Sequence, residues 1–342
     1  GWLHCRNHHY VQQIKEKAMP RVAFITVAGF LALAIIGCAS QPISKPVRTS
    51  LANGQSHFRP IGLAIDPRGG ILVTDSFHNR VLWMSGTGRI LASWGSRGRA
   101  LGQFRRPLGL AVDSLRDRVY VADYLNDRVD VFTLSGRVVA EWPVGSERHF
   151  AGPDAVAVGR SGDIYVIEFN ACRVLKLDPD GRRLSVWGHK GHGRAGLYYP
   201  THVCTGPLGN IWVSDSYNSR IKEYTIRGKL IRVIGGWGQG AGEFDVVDGI
   251  AFDSAGYLWA TDFFNSRLQR INVISPSASK QIFTWYGPGG ALGYLLYPVD
   301  VVYSRTKKNL YVVDFGNDRI LRIGLSRKDN GSLKVKVLGV IK

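Results

Sequence analysis

From residue 58 onward the chain alternates short apolar runs with turn residues. In the stretch that starts at Pro107, Leu110-Ala111-Val112 leads to Asp113, and Val119-Tyr120-Val121-Ala122 leads to Asp123. Val129-Asp130-Val131-Phe132 and Val138-Val139-Ala140-Glu141-Trp142 follow. Short runs rich in Val, Tyr and Phe, separated by Gly, Asp, Asn or Ser, predict strands. No stretch between 58 and 342 sustains a 3.6-residue apolar period with capping residues, so helices are not expected there.

The pattern repeats. Six times an apolar run ends in an acid and an arginine follows five residues later: Asp75/Arg80, Asp123/Arg128, Glu168/Arg173, Asp215/Arg220, Asp262/Arg267 and Asp314/Arg319. Successive acids lie 48, 45, 47, 47 and 52 residues apart. An asparagine stands between acid and arginine each time, as Asn79, Asn126, Asn170, Asn218, Asn265 and Asn317. A unit of this length holding four short strands cannot bury its apolar face alone and must pack on its neighbours. The expectation is an all-β chain, a six-bladed β-propeller of four-stranded antiparallel blades over residues 58–342. The last copy supplies its own fourth strand from Leu333 to Val340, although Val47 to Leu51 could still add to it.

The unit P-x-G-L-A-V-D, then V-Y-V-A-D, then N-D-R-V-x-V-F, read from Pro107 to Phe132, resembles the NHL repeat. Blade five departs from that pattern at Val247, where a proline is expected, and blade three has Glu168 in place of Asp. The resemblance implies a binding module for protein, RNA or another ligand and, less often, a lyase; a fold with many activities names none of them. Some NHL-like lyases, including the peptidyl-hydroxyglycine amidating type, hold zinc with several channel-mouth histidines.

Ahead of the repeats, Val22 to Ile36 is an apolar run of signal-peptide length, short for a membrane span, with Arg21 at its start. It ends Ile35-Ile36-Gly37-Cys38, which resembles a bacterial lipobox. The expected organisation is upstream read-through at 1–18, a lipoprotein signal peptide from Met19 to Gly37, acylation at Cys38, a tether over 38–57, and the propeller. Acylation would anchor the chain in the cell envelope, on the periplasmic face of the outer membrane if the host is Gram-negative. Apart from Cys5 and Cys38 only Cys172 and Cys204 remain, too few for a disulfide scaffold.

Lysine and arginine number 44 against 26 acids; without residues 1–37 the balance is 40 against 25, a net +15. Such an excess favours anionic partners. For an exported chain these are envelope glycans or lipid head groups, or a protein partner, and no nucleic acid is expected. In a four-stranded meander the acid–Asn–Arg turns and the glycine-rich segments between blades share one face. That face collects Arg97, Arg99, Arg105, Arg106, His189, Lys190, His192 and Arg194, the expected ligand-binding surface. Exposed aromatic residues such as Tyr198, Tyr199 and Phe150 would serve a protein partner. Glycines there permit turns with positive φ and could leave N–H groups facing an anion, or serve as plain turn residues.

The acid–Asn–Arg pairs read as structural, with the arginine fork placed on the carboxylate and the asparagine satisfying or shaping the turn. Trp94, Trp142, Trp187 and Trp237 read as packing between blades. Function belongs where the copies differ, at the start of each innermost strand. There the two residues after the proline position are Ile61-Gly62, Leu108-Gly109, Asp154-Ala155, Thr201-His202, Asp248-Gly249 and Val299-Asp300. Asp154, His202, Asp248 and Asp300 thus converge on one axis and could hold Ca or Zn, although no cofactor is required. One histidine is a poor zinc set, and no nucleophile signature occurs, which favours a binding or scaffold module over a channel-site metal-dependent lyase or hydrolase.

Overall fold

The computed structural model describes residues 58–142, 150–274, 282–327, 329 and 332–342. The expected tether and leader segments, and Val47 to Leu51, lie outside the described residues. Six separate four-stranded antiparallel sheets follow one another along the chain, each in sequential order. They occupy 60–94, 107–142, 153–187, 202–235, 247–285 and 298–341. In blade one the strands are Pro60–Ile65, Ile71–Asp75, Arg80–Met84 and Ile90–Trp94, called a to d from the axis outward. The expected propeller is present, and blade six completes itself with Leu333–Ile341. Among the described residues the only helical segments are single 3-10 turns such as Tyr124–Asn126 and Ser216–Asn218.

Burial follows position in the ring. Strand b of blade one, Ile71–Asp75, is wholly buried, whereas strand d alternates exposed and half-buried residues. Apolar clusters lie between blades: Ala64, Leu72, Phe104, Leu110 and Phe132 join one to two, and Tyr120, Trp142, Val156 and Leu175 join two to three. Trp94, Trp142 and Trp187 pack across blades as expected, since a Cβ on Gly136, Gly181 or Gly228 of the next blade would strike their rings. Trp237 does not. It stands beyond strand d, in the segment joining blades four and five, and is 62% exposed. The packing position in blade five belongs to Trp285 at the end of strand d.

Each joining segment drives one apolar side chain inward. Phe104, Phe150, Leu197, Phe244 and Leu295 are all at most 2% exposed. This corrects the expectation for Phe150, which lies in the core between blades two and three. The turn needs glycine beside that plug: Gly95 has φ 95° and a side chain there would fall on the Phe104 ring.

Among the described residues blade six meets blade one without exchanging a strand. Leu63 N–H donates to Asp300 Oδ2 at 2.7 Å, and Tyr311 Oη and Arg322 Nη1 donate to the Gly86 carbonyl at 3.1 and 3.3 Å. Arg59 pairs with Asp318 at 3.3 Å.

Candidate functional site

The acid–Asn–Arg motif turns out to fasten loops. Each acid at the end of strand b in blades two to six accepts a backbone N–H from the segment entering its blade. Arg105 N–H bonds Asp123 at 2.7 Å, Tyr198 N–H bonds Asp215 at 2.7 Å, Asp245 N–H bonds Asp262 at 2.8 Å and Leu296 N–H bonds Asp314 at 2.7 Å. In blade three the longer Glu168 takes the Ala151 N–H at 2.9 Å. The asparagine amide three residues on donates both to the acid and to a loop carbonyl, as Asn218 does to Asp215 and Gly191 and Asn265 does to Asp262 and Gly238.

The arginine does not place its fork on the carboxylate as expected. Arg267 gives only Nε to Asp262, at 2.7 Å, and its terminal nitrogens donate to the carbonyls of Gln239, Gly240 and Glu243. Arg319 and Arg220 do likewise, to Leu292 and Tyr294 and to Gly193 and Gly196.

Two of the expected pairs are present with a geometry of their own. Arg128 pairs with Asp123 only loosely, its Nε 3.5 Å from Asp123 Oδ2, an ion pair without a hydrogen bond. The cause is a second acid on strand c: buried Asp130 draws Nε to 3.1 Å, and Glu141 on strand d takes Nη1 at 2.5 Å. The rest of the Arg128 guanidinium still fastens the loop, through the carbonyls of Arg99, Ala100 and Gln103. Arg173 does pair with Glu168, but through Nε and not through a two-pronged fork. Glutamate in place of aspartate therefore keeps both bonds of the motif in blade three, the one to Arg173 and the one to the Ala151 N–H.

Nor is the turn asparagine generally left-handed. That conformation falls on the residue just before each arginine, which is Asn79, Asp127, Cys172, Ser219, Ser266 and Asp318. Burial pushes the carboxyls of Asp123, Asp262 and Asp314 upward, and the donors on them pull back. The loop N–H groups are also committed: Gly98 and Gly191 donate to Phe104 and Leu197 carbonyls, and Gly240 and Gly242 to Glu243 and Gln269 side chains. The glycine loops therefore serve turn geometry, and these N–H groups do not form an anion nest.

The expected basic surface divides. Arg97, Arg99, His189, Lys190, His192 and Arg194 lie on the loop face, where His189 and Lys190 and their neighbours reach solvent, whereas Arg105 and Arg106 are half-buried. Lys190 Nζ lies 5.0 Å from the Tyr199 ring centre and 5.7 Å from that of Tyr198, a cation–π arrangement, and bonds the Tyr199 hydroxyl at 3.3 Å. His192 packs on Tyr198 at 4.2 Å and bonds Asn218 at 2.8 Å. Arg97, Lys190 and Trp237 occupy equivalent loop positions, each pairing with the segment that carries the inward plug. Arg106 turns toward the axis, with its guanidinium 5.7 Å from the Tyr124 ring centre and in the field of Asp154.

At the axis the inner strands bulge. Register slips by one residue between Pro60 and Leu63, Pro107 and Leu110, and Val247 and Ile250, and again near Asp154 and Val299. A bulge bends the strand and re-aims side chains, here where the copies differ. At Gly249 a Cβ would meet the Asp300 backbone at 2.5 Å, so neighbouring inner strands touch at these positions.

His202 reaches past blade five to place Nε2 3.2 Å from Asp300 Oδ1. Its Nδ1 accepts from Ile250 N–H at 3.4 Å, which puts the ring proton on Nε2, facing Asp300. Asp300 also takes the Leu63 and Val301 N–H groups. Both histidine nitrogens and both carboxylate oxygens are thus engaged. Among the described residues no group of three or more His, Cys, Asp or Glu is placed to hold a metal ion. Asp154, His202, Asp248 and Asp300 approach the axis as expected, but His202 has no lone pair to offer, and the set does not fit a Ca or Zn site.

Asp154 and Asp248 remain. Asp248 is 5% exposed, and the Oδ2 atoms of both acids have no hydrogen-bond partner within the protein. Burial pushes Asp248 up to about 7, with Asp300 adding to the rise and Thr201 and His202 opposing it. Asp154 is pushed well up by burial and by Asp248, against Arg106. The Tyr217 phenol is raised by burial and then by the nearby charges of Asp248 and Asp154. Tyr217 continues an aromatic arc: Tyr199–Tyr217 at 5.7 Å, Phe169–Tyr199 stacked at 4.9 Å and Tyr124–Phe169 at 6.3 Å. The sequence reading missed this arc. Its signal is the residue or two following each acid, where Tyr124, Phe169, Tyr217 and Phe263 recur.

Cys172 is buried and Cys204 half-buried, and both are free thiols. Burial raises both.

Comparison with known proteins agrees with the fold. The sequence model of the NHL repeat matches residues 197–224, which run from the plug Leu197 through the third strand of blade four. No curated protein sequence matches the chain. Solved propellers do. A streptogramin B lyase superposes with a TM-score of 0.59 at 19% identity over 84% of this chain and 85% of that one. A catalytically inactive virginiamycin B lyase from Staphylococcus aureus with quinupristin gives 0.58 at 17% over 83% and 86%. A chain of a nidogen/laminin complex gives 0.55 at 18% over 80% and 90%. At such identities the likeness concerns architecture. The protein is a six-bladed β-propeller that carries an NHL repeat.

Proposed function

We propose that this chain is an exported, lipid-anchored binding module that takes an anionic envelope ligand, a glycan or lipid head group, on its basic loop face. The observation that carries the reading is the Lys190–Arg194 loop. Lys190 and Arg194 are exposed, and Lys190 and His192 are held on the Tyr198–Tyr199 pair. A fixed cation on an aromatic platform loses less freedom on binding than a solvated lysine does. Cys38 and the apolar run before it support the anchored location.

Binding is favoured over channel-site catalysis because the one axial imidazole, His202, has both nitrogens committed and cannot accept a substrate proton without rearranging. The test is titration calorimetry with a phosphorylated and a carboxylated glycan at low salt. Binding is expected to weaken about tenfold in a Lys190→Ala/Arg194→Ala double variant and to fall steeply as salt rises. Affinity unchanged by both the substitutions and the salt would overturn the reading.

A further inference from the structure

We infer that the axial mouth is a second site, which binds a ligand ammonium group between Asp154 and Asp248 against the aromatic arc. This site is separate from the exposed basic loop and does not depend on what that loop binds. Three observations converge on it.

The first is chemical. Asp154 and Asp248 stand on the bulged inner strands of two different blades, near enough to each other and to Tyr217 for their charges to act on one another and on its phenol. Each keeps one carboxylate oxygen with no donor in the protein, and Asp248 is 5% exposed. The neighbouring axial polar groups are engaged: Asp300 with His202 and two backbone N–H groups, and Thr201 with Ser216 and with the other side of the Asp248 carboxylate. A buried carboxylate oxygen without a donor is costly, and such exceptions call for an explanation. A cationic donor removes that cost, whereas an anion would add to it.

The second is the wall. Tyr217, Tyr199, Phe169 and Tyr124 form a continuous run of ring contacts from blade four to blade two. Ring faces attract an ammonium and not an anion. The protein's own cations use the same rings, Arg106 on Tyr124 and Lys190 on Tyr199, which shows that the arc accepts positive charge at its margins.

The third is asymmetry. Blades one and two carry Ile61 and Leu108 where blades three and five carry Asp154 and Asp248, so the acids are not part of the repeat. The acids at the ends of strand b, by contrast, recur in every blade and are met by donors. An ammonium fits better than a metal ion: two oxygens with phenyl walls suit a diffuse organic cation, and the site lacks the third ligand that a divalent ion takes.

The test is calorimetry of the whole protein with choline and ethanolamine, and with 3,3-dimethylbutan-1-ol as the uncharged match to choline. At least one ammonium probe is expected to bind, and the alcohol to bind at least tenfold more weakly. Asp248→Asn and Asp154→Asn should each cost ten-fold or more in affinity for that probe, whereas Arg194→Ala should leave it unchanged. The melting temperature of Asp248→Asn should equal or exceed that of the native chain. Three results would overturn the inference: no ammonium probe binding, equal binding of the alcohol, or full affinity in both Asn variants. A melting temperature lowered together with affinity would assign Asp248 a structural role instead. The comparison of charged with uncharged probe needs only the native protein, so it stands even if a variant does not fold.

Discussion

The propeller holds two sets of buried acids under opposite conditions. At the end of strand b, Asp262 meets an arginine, an asparagine amide and a backbone N–H, and the same arginine fastens the loop that caps the blade. At the axis, Asp248 and Asp154 each keep an oxygen with no partner. The first set is repeated around the ring and the second occurs in blades three and five. A group that every blade needs is saturated with donors, whereas the unshared axial acids divide, Asp300 fully bonded and Asp154 and Asp248 each with one open oxygen. Repetition therefore marks acids that hold the ring, and the oxygens left open to a ligand at the axis belong to acids that are not repeated.

The sharpest way to break this contrast is to remove a saturating donor. Arg267 is 2% exposed, and Arg267→Ala would strand the Asp262 carboxylate and free three loop carbonyls. A loss of about 3–5 kcal/mol is expected from urea denaturation. Arg80→Ala should cost about 1 kcal/mol, because its side chain is 29% exposed and His78 also bonds Asp75. Equal losses would mean that burial does not grade these fastenings.

The open acids should behave in the reverse sense. The Asp248 carboxyl is raised to about 7 in the folded chain, among Asp154, Asp300, His202, Thr201 and Tyr217. An acid raised on folding gives stability that is complete below about pH 4 and is lost as pH rises toward 7. Asp248→Asn should thus gain on the native protein between pH 4 and 8, by at most about 4 kcal/mol. Melting curves at both ends of that range measure it, and a gain that does not vary with pH would show Asp248 already ionised with a partner. The smallest effects belong to the rim. Asn218→Ala should cost about 1 kcal/mol through its bonds to Asp215 and Gly191, whereas exposed Arg194→Ala should stay within about 0.5 kcal/mol. Guanidinium titrations of both variants would separate them.

The fold was legible because each strand is a local event. Short Val- and Tyr-rich runs between turn residues, repeated with an acid and an arginine in register, fix both blade and blade count. The partners of those motifs were not legible. Arg267 reaches carbonyls of Gln239 and Gly240, 28 and 27 residues earlier, and nothing in the local pattern points to them. Arg128 shows the same limit at short range: its spacing from Asp123 matches every other copy, yet Asp130 and Glu141 hold it closer than Asp123 does. Trp237 misled for a similar reason: a tryptophan near a strand end has the same spacing whether it closes strand d, as Trp187 does, or stands beyond it. At the axis, the residues were found by asking where copies differ, but two very different fates were hidden there. His202 and Asp300 satisfy each other across the channel, and Asp154 and Asp248 do not. Only packing distinguishes them.

The seam between blades six and one gives this ring a mechanical character. Among the described residues each sheet is finished by its own stretch of chain, so that closure joins two completed surfaces and opening breaks no strand ladder between them. Folding can proceed blade by blade through contacts near in sequence, with docking of the ends as the last step. The least costly fluctuation of the finished ring is then a parting along the same line. Asp300 lies on that line, bonded to Leu63 across it and to His202 across the channel. The axial mouth and the latch of the ring thus share a residue, so whatever fills the mouth also bears on how often the ring opens.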